Sequence, residues 1–241
     1  MSDAATQGYY TAEEAQAVFQ QANEAYGRED YPTAQESYEK LIAHGFGGPD
    51  VLYNLGTTHL ARGDLGRAVL ALEQARKQGG RSEDLEANLA LARARQVDKV
   101  VGSTPDEAFL PRLAAATDGA AAAWVFLAAW LLGFALLLLR RVFPSARRTV
   151  VAVVAGLCLT AAVPAGMLLA AHIWVHQNVH EAVVLSPTLV ARELPRAEAR
   201  SLFEVHAGLK VQLLEETGKY VRIRLPNGLE GWAERDGVAE I

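Results

Sequence analysis

"FQQANEAYGREDYPTA" (19–34) and "YNLGTTHLARGDLGRA" (53–68) align at an offset of 34 residues. Phe19 falls on Tyr53, Ala22 on Gly56, Tyr26 on Leu60, Asp30 on Asp64, Tyr31 on Leu65 and Ala34 on Ala68. A fixed period of this size marks stacked helical hairpins, because each unit needs its neighbour to bury its apolar face. The small residues at 22 and 56 let paired helices touch, and those at 34 and 68 do the same from the second helix. Asp30 and Asp64 fall where the second helix begins, and a carboxylate there meets the positive end of the helix dipole. A third unit starts on the same period. "DLEANLALARA" (84–94) repeats "DVLYNLGTTHL" (50–60), with Asp50/Asp84, Asn54/Asn88 and Leu55/Leu89 in register. It is expected to run as one helix to about Val100 and, lacking a partner helix, to cap the solenoid. The expected helical region is 14–100, after a disordered N-terminus over 1–13.

These residues resemble tetratricopeptide repeats, with "LARGDLGRA" matching the turn common in that family: two repeats plus a capping helix. The resemblance implies peptide binding on a concave face made by the first helices. Here that face carries Gln20, Asn23, Asn54, Thr57 and Asn88, whose amides can hydrogen-bond an extended backbone. The same asparagines equally suit polar pairing between helices. The subclass that grips acidic chaperone tails uses basic residues where this chain has Phe19, Asp84 and Asn88, so such a tail is not the expected ligand.

Further along, Gly119–Leu139 is uncharged, and residues 149–173 form a second uncharged run. As a helix each is roughly 30–38 Å long, enough to cross the hydrocarbon core. Trp124 and Trp174 lie near the outer ends, where indole rings favour the interface. Ala152, Gly156 and Thr160 form a small-residue stripe along which the two helices are expected to approach. The connection "RRVFPSARR" (140–148) is short, so the spans form an antiparallel hairpin. Its Arg140, Arg141, Arg147 and Arg148 contrast with a single Arg112 in 101–118 and no arginine or lysine in 172–191. Positive-inside bias then makes the loop cytoplasmic and puts both flanking regions outside. The expected setting is a bacterial inner membrane, crossed twice. "MSDAATQGYY" has neither the basic nor the apolar region of an export signal, so that signal is expected upstream or already removed. In the linker, 101–118, Pro105 is expected to stop the capping helix.

Composition narrows the chemistry. The net charge is −5, and residues 1–100 carry 15 acidic against 10 basic residues. No basic stripe is present to displace counterions, which argues against nucleic acid. The lone cysteine, Cys158, excludes a disulfide framework and a thiolate metal cluster. His172, His176 and His180 recur at four-residue spacing, a weak metal candidate. Structural zinc wants four protein ligands, and only Glu181 is adjacent. No cofactor is expected. Phosphate loop, nucleophile elbow and H-E-x-x-H are all missing, and the chain reads as a non-enzyme.

Residues 180–241 change period. In "KYVRIRLPNG", Val221, Ile223 and Leu225 face one way while Arg222 and Arg224 face the other. "NG" at 227–228 and "TGK" at 217–219 mark hairpin turns, and about five short strands are expected. "VVLSPTLVARELP" and "FEVHAGLKVQLLEETGKYVRIRLPNGLEGWAERDGVAEI" resemble bacterial SH3 domains. The resemblance implies a small barrel with Tyr220 and Trp232 lining a groove for peptide or peptidoglycan. The fold class is thus multi-domain: an all-α tetratricopeptide solenoid, a transmembrane α-hairpin and a small all-β SH3-like barrel. This order, with "YNLGTTHLARGDLGRAVLALEQA" and "ANLALARARQVDKV", resembles the E-type component of the Bat aerotolerance operons. That implies a membrane-anchored scaffold in an envelope stress-tolerance complex with von Willebrand A-domain proteins and a MoxR-type ATPase. A cell-wall sensor acting through the SH3 module is the alternative.

Overall fold

The computed structural model describes residues 10–80, 82–99, 113, 116–142 and 144–241, and only the backbone of 145, 146 and 176–178. Most of the expected disordered N-terminus and of the linker 101–118 lies outside the described residues. The chain divides into two compact units, residues 1–103 with 180–241, and residues 104–179.

The first unit opens with five helices: α1 (Ala12–Gly27), α2 (Tyr31–Ala43), α3 (Pro49–Arg62), α4 (Leu65–Lys77) and α5 (Glu83–Arg95). Order begins earlier than expected. Thr11 and Glu14 form a capping box on α1, and Tyr10 stacks on His44 at 4.0 Å. Reciprocal side-chain caps of this kind satisfy first-turn N–H groups that have no helical partner. Asp30 and Asp64 are the N-caps of α2 and α4, accepting from the Thr33 and Arg67 backbone N–H groups at 3.3 Å. Both repeats therefore start their second helix with the same bond. Their preceding turns differ: Gly63 ends α3 at φ 79°, whereas Glu29, 34 residues earlier, holds φ 61°. That left-handed conformation costs a residue with a Cβ roughly 1–2 kcal/mol.

The small positions do what the alignment implied. Ala22, Ala34 and Ala68 have no exposed surface. A Cβ on Gly56 would lie 2.7 Å from Leu72 Cγ, so α3 and α4 meet at van der Waals contact only because residue 56 lacks one. Leu72, Leu52, Ala75, Leu85 and Leu89 form the core between the second repeat and α5. Near the end of α3, buried His59 sits with Nδ1 3.7 Å from Asp64 Oδ2. Burial pushes its imidazole below the ordinary 6.5, although the Asp64 charge opposes this. The unfolded chain then binds a proton that the folded one resists. The neutral ring's contribution is complete above pH 6.5 and is lost as pH falls below it. In His59→Asn, denaturant unfolding free energies at pH 7.5, 6.5 and 5.5 should fall less steeply than in the parent protein.

Seven strands follow: β1 (His180–Val184), β2 (Thr188–Arg192), β3 (Ser201–His206), β4 (Lys210–Thr217), β5 (Tyr220–Arg224), β6 (Glu230–Glu234) and β7 (Val238–Glu240). They form one antiparallel sheet in the order β3-β2-β6-β5-β4-β1-β7. Two expected turns are present, with Gly218 at φ 61° and Gly228 at φ 85° joining β4 to β5 and β5 to β6. Val221, Ile223 and Leu225 do face the core, with Ala182, Val184, Leu189, Val205, Val211 and Ala233. Two expectations are revised. There are seven strands instead of five, and the sheet is not closed, since its edges are β3 and β7.

A larger revision concerns α5. It ends at Arg95 instead of near Val100, with Gln96 at ψ 140°. Its Leu85, Leu89 and Ala92 turn inward while its outer face, Leu91 included, stays exposed, and the sheet packs chiefly on α4 through β1. In β1, Ala182 and Val184 belong to the sheet core, while the intervening Val183 is fully buried against Leu60, Ala68, Val69 and Ala92 of the helices. Strand alternation sends successive side chains to opposite faces, so β1 seals both sides at once. A Cβ on Gly66 would meet the Val184 carbonyl oxygen at 2.9 Å, so α4 comes directly onto the strand backbone. Polar bonds fix the same junction. Asp98 accepts from the His206 backbone N–H and pairs with its Nδ1 at 2.9 Å, and Gln96 Nε2 donates to the Gly208 carbonyl. Glu73 of α4, only 2% exposed, faces Arg76, Arg93 at 3.6 Å and Lys210 of β4 at 3.5 Å. Lys210 also reaches Glu181 at 3.1 Å. Helices and sheet are therefore one folded body.

The second unit is a helical pair, α6 (Gly119–Leu139) and α7 (Ser145–Asn178). Gly119–Leu139 and Arg147–Val175 are each long and apolar enough to cross a membrane, and only 11% of either window is buried. Because α7 starts at Ser145, Arg147 and Arg148 lie on its first turns, not in a loop reaching 148. Arg140 and Arg141 follow the end of α6 and are exposed. The seam differs from the expected one. Ala155 and Ala162 are buried in it, and a Cβ on Gly133 would meet Leu159 Cγ at 2.7 Å. Gly156 and Thr160 point away from the pairing face, and Thr160 Oγ1 donates to the Gly156 carbonyl at 2.8 Å. In an alanine-rich span several small-residue stripes compete, and the interlocking of Gly133 with Leu159 selects this one.

Candidate functional site

The first helices of the three helical units, α1, α3 and α5, carry one asparagine each: Asn54 and Asn88 share the offset of 34, whereas Asn23 aligns with Thr57. The structure joins them into a polar row. Asn23 Oδ1 accepts from Tyr38 Oη at 2.6 Å and from Asn54 Nδ2 at 3.0 Å. Asn88 Nδ2 donates to Tyr53 Oη at 3.2 Å and to Thr57 Oγ1 at 3.1 Å. Thr57 in turn donates to the Tyr53 carbonyl at 2.9 Å. Asn23, Asn54, Thr57 and Asn88 are thus brought together, and Gln20 stays exposed beside them. Tyr38 and Tyr53 complete the row and were not among the sequence candidates. Tyr53 was legible as the partner of Phe19 in the alignment, but Tyr38 lies on a second helix that the concave-face pattern does not cover.

The row is half-spent. Among the described residues, Asn23 uses both lone pairs of its carbonyl and leaves its Nδ2 donors, while Asn54 and Asn88 keep their carbonyl oxygens. Free donors and acceptors therefore lie along one face, the combination that an extended backbone presents in mirror form. Burial pushes the Tyr38 phenol up to about 12, so it remains a hydrogen donor to Asn23 throughout the physiological range. Beside the row opens a cavity of about 330 Å³, lined by the start of α1, the end of α2 and the start of α3.

Residues 19–80 and 53–95 match the family model for the tetratricopeptide repeat. The helical region is thus similar to tetratricopeptide repeats. No curated protein and no solved structure matches the chain. Repeats of this family serve protein–protein contacts, so the implied partners are proteins.

The other candidates fall elsewhere. Tyr220 is buried, and its hydroxyl has no hydrogen-bond partner among the described residues. Trp232 is half-buried, in register with Arg222 on β5 and Arg192 on β2. The histidine face is broken. His172 lies on α7, the side chain of His176 is outside the described residues, and His180 belongs to β1. His172 Nε2 sits 3.0 Å from Thr117 Oγ1, which itself donates to the Leu113 carbonyl. Among the described residues no three metal-ligating side chains cluster.

Proposed function

We propose that this chain is a non-enzymatic, membrane-anchored adaptor whose repeats hold an extended segment of a partner protein along the concave face. The polar row from Asn23 through Asn54 to Asn88 carries this reading, because it presents unspent amide groups on all three first helices. The sheet, read as an SH3-like module, is then part of the adaptor body, docked on α4 through β1. Residues 10–99 and 180–241 form one compact unit and must share a compartment, as a double crossing by the two apolar helices permits. Arg140, Arg141, Arg147 and Arg148 favour the cytoplasm for the connection and the outer side of a bacterial inner membrane for the folded body. A Bat-type envelope complex with von Willebrand A-domain partners is the setting that the order of segments supports. Cell-wall binding through the sheet has less behind it, since Tyr220 is buried and Trp232 only half-exposed.

A photo-crosslinking amino acid at Gln20, in the cells that make the protein, is expected to give one discrete protein adduct. Placed at Leu229, half-exposed in the turn between β5 and β6, it should give none. Asn54→Ala should weaken the captured interaction about tenfold, the loss of one or two net hydrogen bonds. Adducts from position 229 alone, with the protein sedimenting on isolated peptidoglycan, would support the cell-wall reading instead.

A further inference from the structure

We infer that the cavity beside the polar row takes one large apolar side chain of the partner segment, and that the residues flanking this anchor are basic. The inference rests on the concave-face reading and names the chemistry of its partner. The cavity walls are Ala12, Ala15, Phe19, Leu41, Phe46 and Val51, and only Gln16 and Asp50 bring polar side chains to its lining. A polar group entering it would lose water without gaining partners, so an apolar side chain is the favoured occupant. Position links it to the row. Phe19 precedes Asn23 by four residues on α1, and Asp50 precedes Asn54 by four on α3, one helical turn in each case. A backbone held at Asn23 and Asn54 therefore continues over the cavity mouth.

Charge gives the flanking residues. The first turns of α1, α3 and α5 carry Glu13 and Glu14, Asp50, and Glu83, Asp84 and Glu86. Each is explained locally by the positive end of its helix. Together they line one rim of the concave face, and among the described residues none has a cation within ion-pair distance, unlike Glu24, Glu36 or Glu73. Glu14 is further held ionised, its pKa lowered by the hydrogen bonds from Thr11. Asp50 on the cavity wall, Glu13 and Glu14 at the start of the helix that forms its other side, and the acids of α5 further along attract lysine or arginine next to the anchor and repel acidic segments.

The test uses the full chain in nanodiscs of neutral phosphatidylcholine. The probe is a fluorescein-labelled peptide with one central leucine between paired lysines, read by anisotropy. Replacing the leucine by serine, or the lysines by glutamates, should weaken binding at least about tenfold. Ala12→Trp, at an exposed position on the cavity wall, and Asp50→Lys should each cause a similar loss, with thermal unfolding unchanged in the first and only slightly lowered in the second, which gives up a favourable charge at the start of α3. Equal binding of the leucine and serine peptides overturns the inference, as does tolerance of the glutamate peptide. Failure of the leucine–lysine peptide to bind at ~1 mM overturns it too. If the crosslink from position 20 persists in that case, the concave-face reading stands and only the assigned partner chemistry falls.

Discussion

Val183→Asp will destroy the cooperative folding of the helical repeats with the sheet. The measurement is cleanest in residues 10–99 joined to 180–241 through a flexible Gly/Ser linker of about 15 residues, which replaces the apolar helices. Of the tryptophans at 124, 130, 174 and 232, that chain keeps only Trp232, so its fluorescence reports the sheet while far-ultraviolet dichroism reports the helices. The parent should unfold in one denaturant transition with both signals coincident. Val183 is fully buried between Leu60, Ala68, Val69 and Ala92. Removing its apolar burial costs about 1.5–3 kcal/mol. An aspartate there adds an unpaired charge among alkyl groups, and the sum exceeds about 4 kcal/mol. The two signals should then separate or the native state should be lost. Val183→Ala, which leaves no charge, should lower the midpoint yet keep one transition. A Val183→Asp protein with an unchanged single transition would mean that β1 does not join the two parts.

That junction is the feature least visible in the amino-acid order. The offset of 34 located the helical hairpins because Ala22, Gly56, Ala34 and Ala68 each mark a close contact inside one repeat or its neighbour. Asp30 and Asp64 likewise announce their helix starts through a bond three residues away. Val183 has no such local signature: "AVV" at 182–184 reads as a buried strand, and nothing nearby says that its second face meets helices that lie far earlier in the chain, at Leu60, Ala68, Val69 and Ala92. Glu73 was equally silent. In "LGRAVLALEQARK" it looks like a solvated helix position, and its burial depends on Lys210 and on Arg93 arriving from other elements. The candidate site divides the same way. Asn54 and Asn88 were legible through the repeat, but the bonds that orient them come from Tyr38 and Tyr53, aromatics whose pattern reads as core.

Leu72→Ala is expected to cost 2–5 kcal/mol, and the surroundings put it in the upper half of that range. Leu72 has no exposed surface and packs with Leu52, Ala75, Leu85 and Leu89. Its nearest neighbour across α3 is Gly56, which has no side chain to swing into the space. Nor can α3 readily sink towards α4, because Asn54 and Thr57 tie it to α1 and α5 through the polar row. In the linked chain, with each kcal/mol shifting Tm by about 2–4 °C, a fall near 10 °C is expected. Leu91→Ala, at a residue 42% exposed on α5, should stay within about 0.5 kcal/mol of the parent. The decisive comparison is a cycle with Gly56→Ala. Alone, that change places a Cβ 2.7 Å from Leu72 Cγ and should destabilise by about 1–3 kcal/mol, outweighing alanine's helix preference of at most about 1. In the Leu72→Ala background the clashing carbons are gone, and the nearest remaining contact is the residue 72 backbone nitrogen at 3.1 Å. Gly56→Ala should then be neutral or stabilising, a coupling above about 1 kcal/mol between the two sites. Strict additivity would show that the glycine is not there to admit the leucine, and the reason given for the small residue at 56 would fail with it.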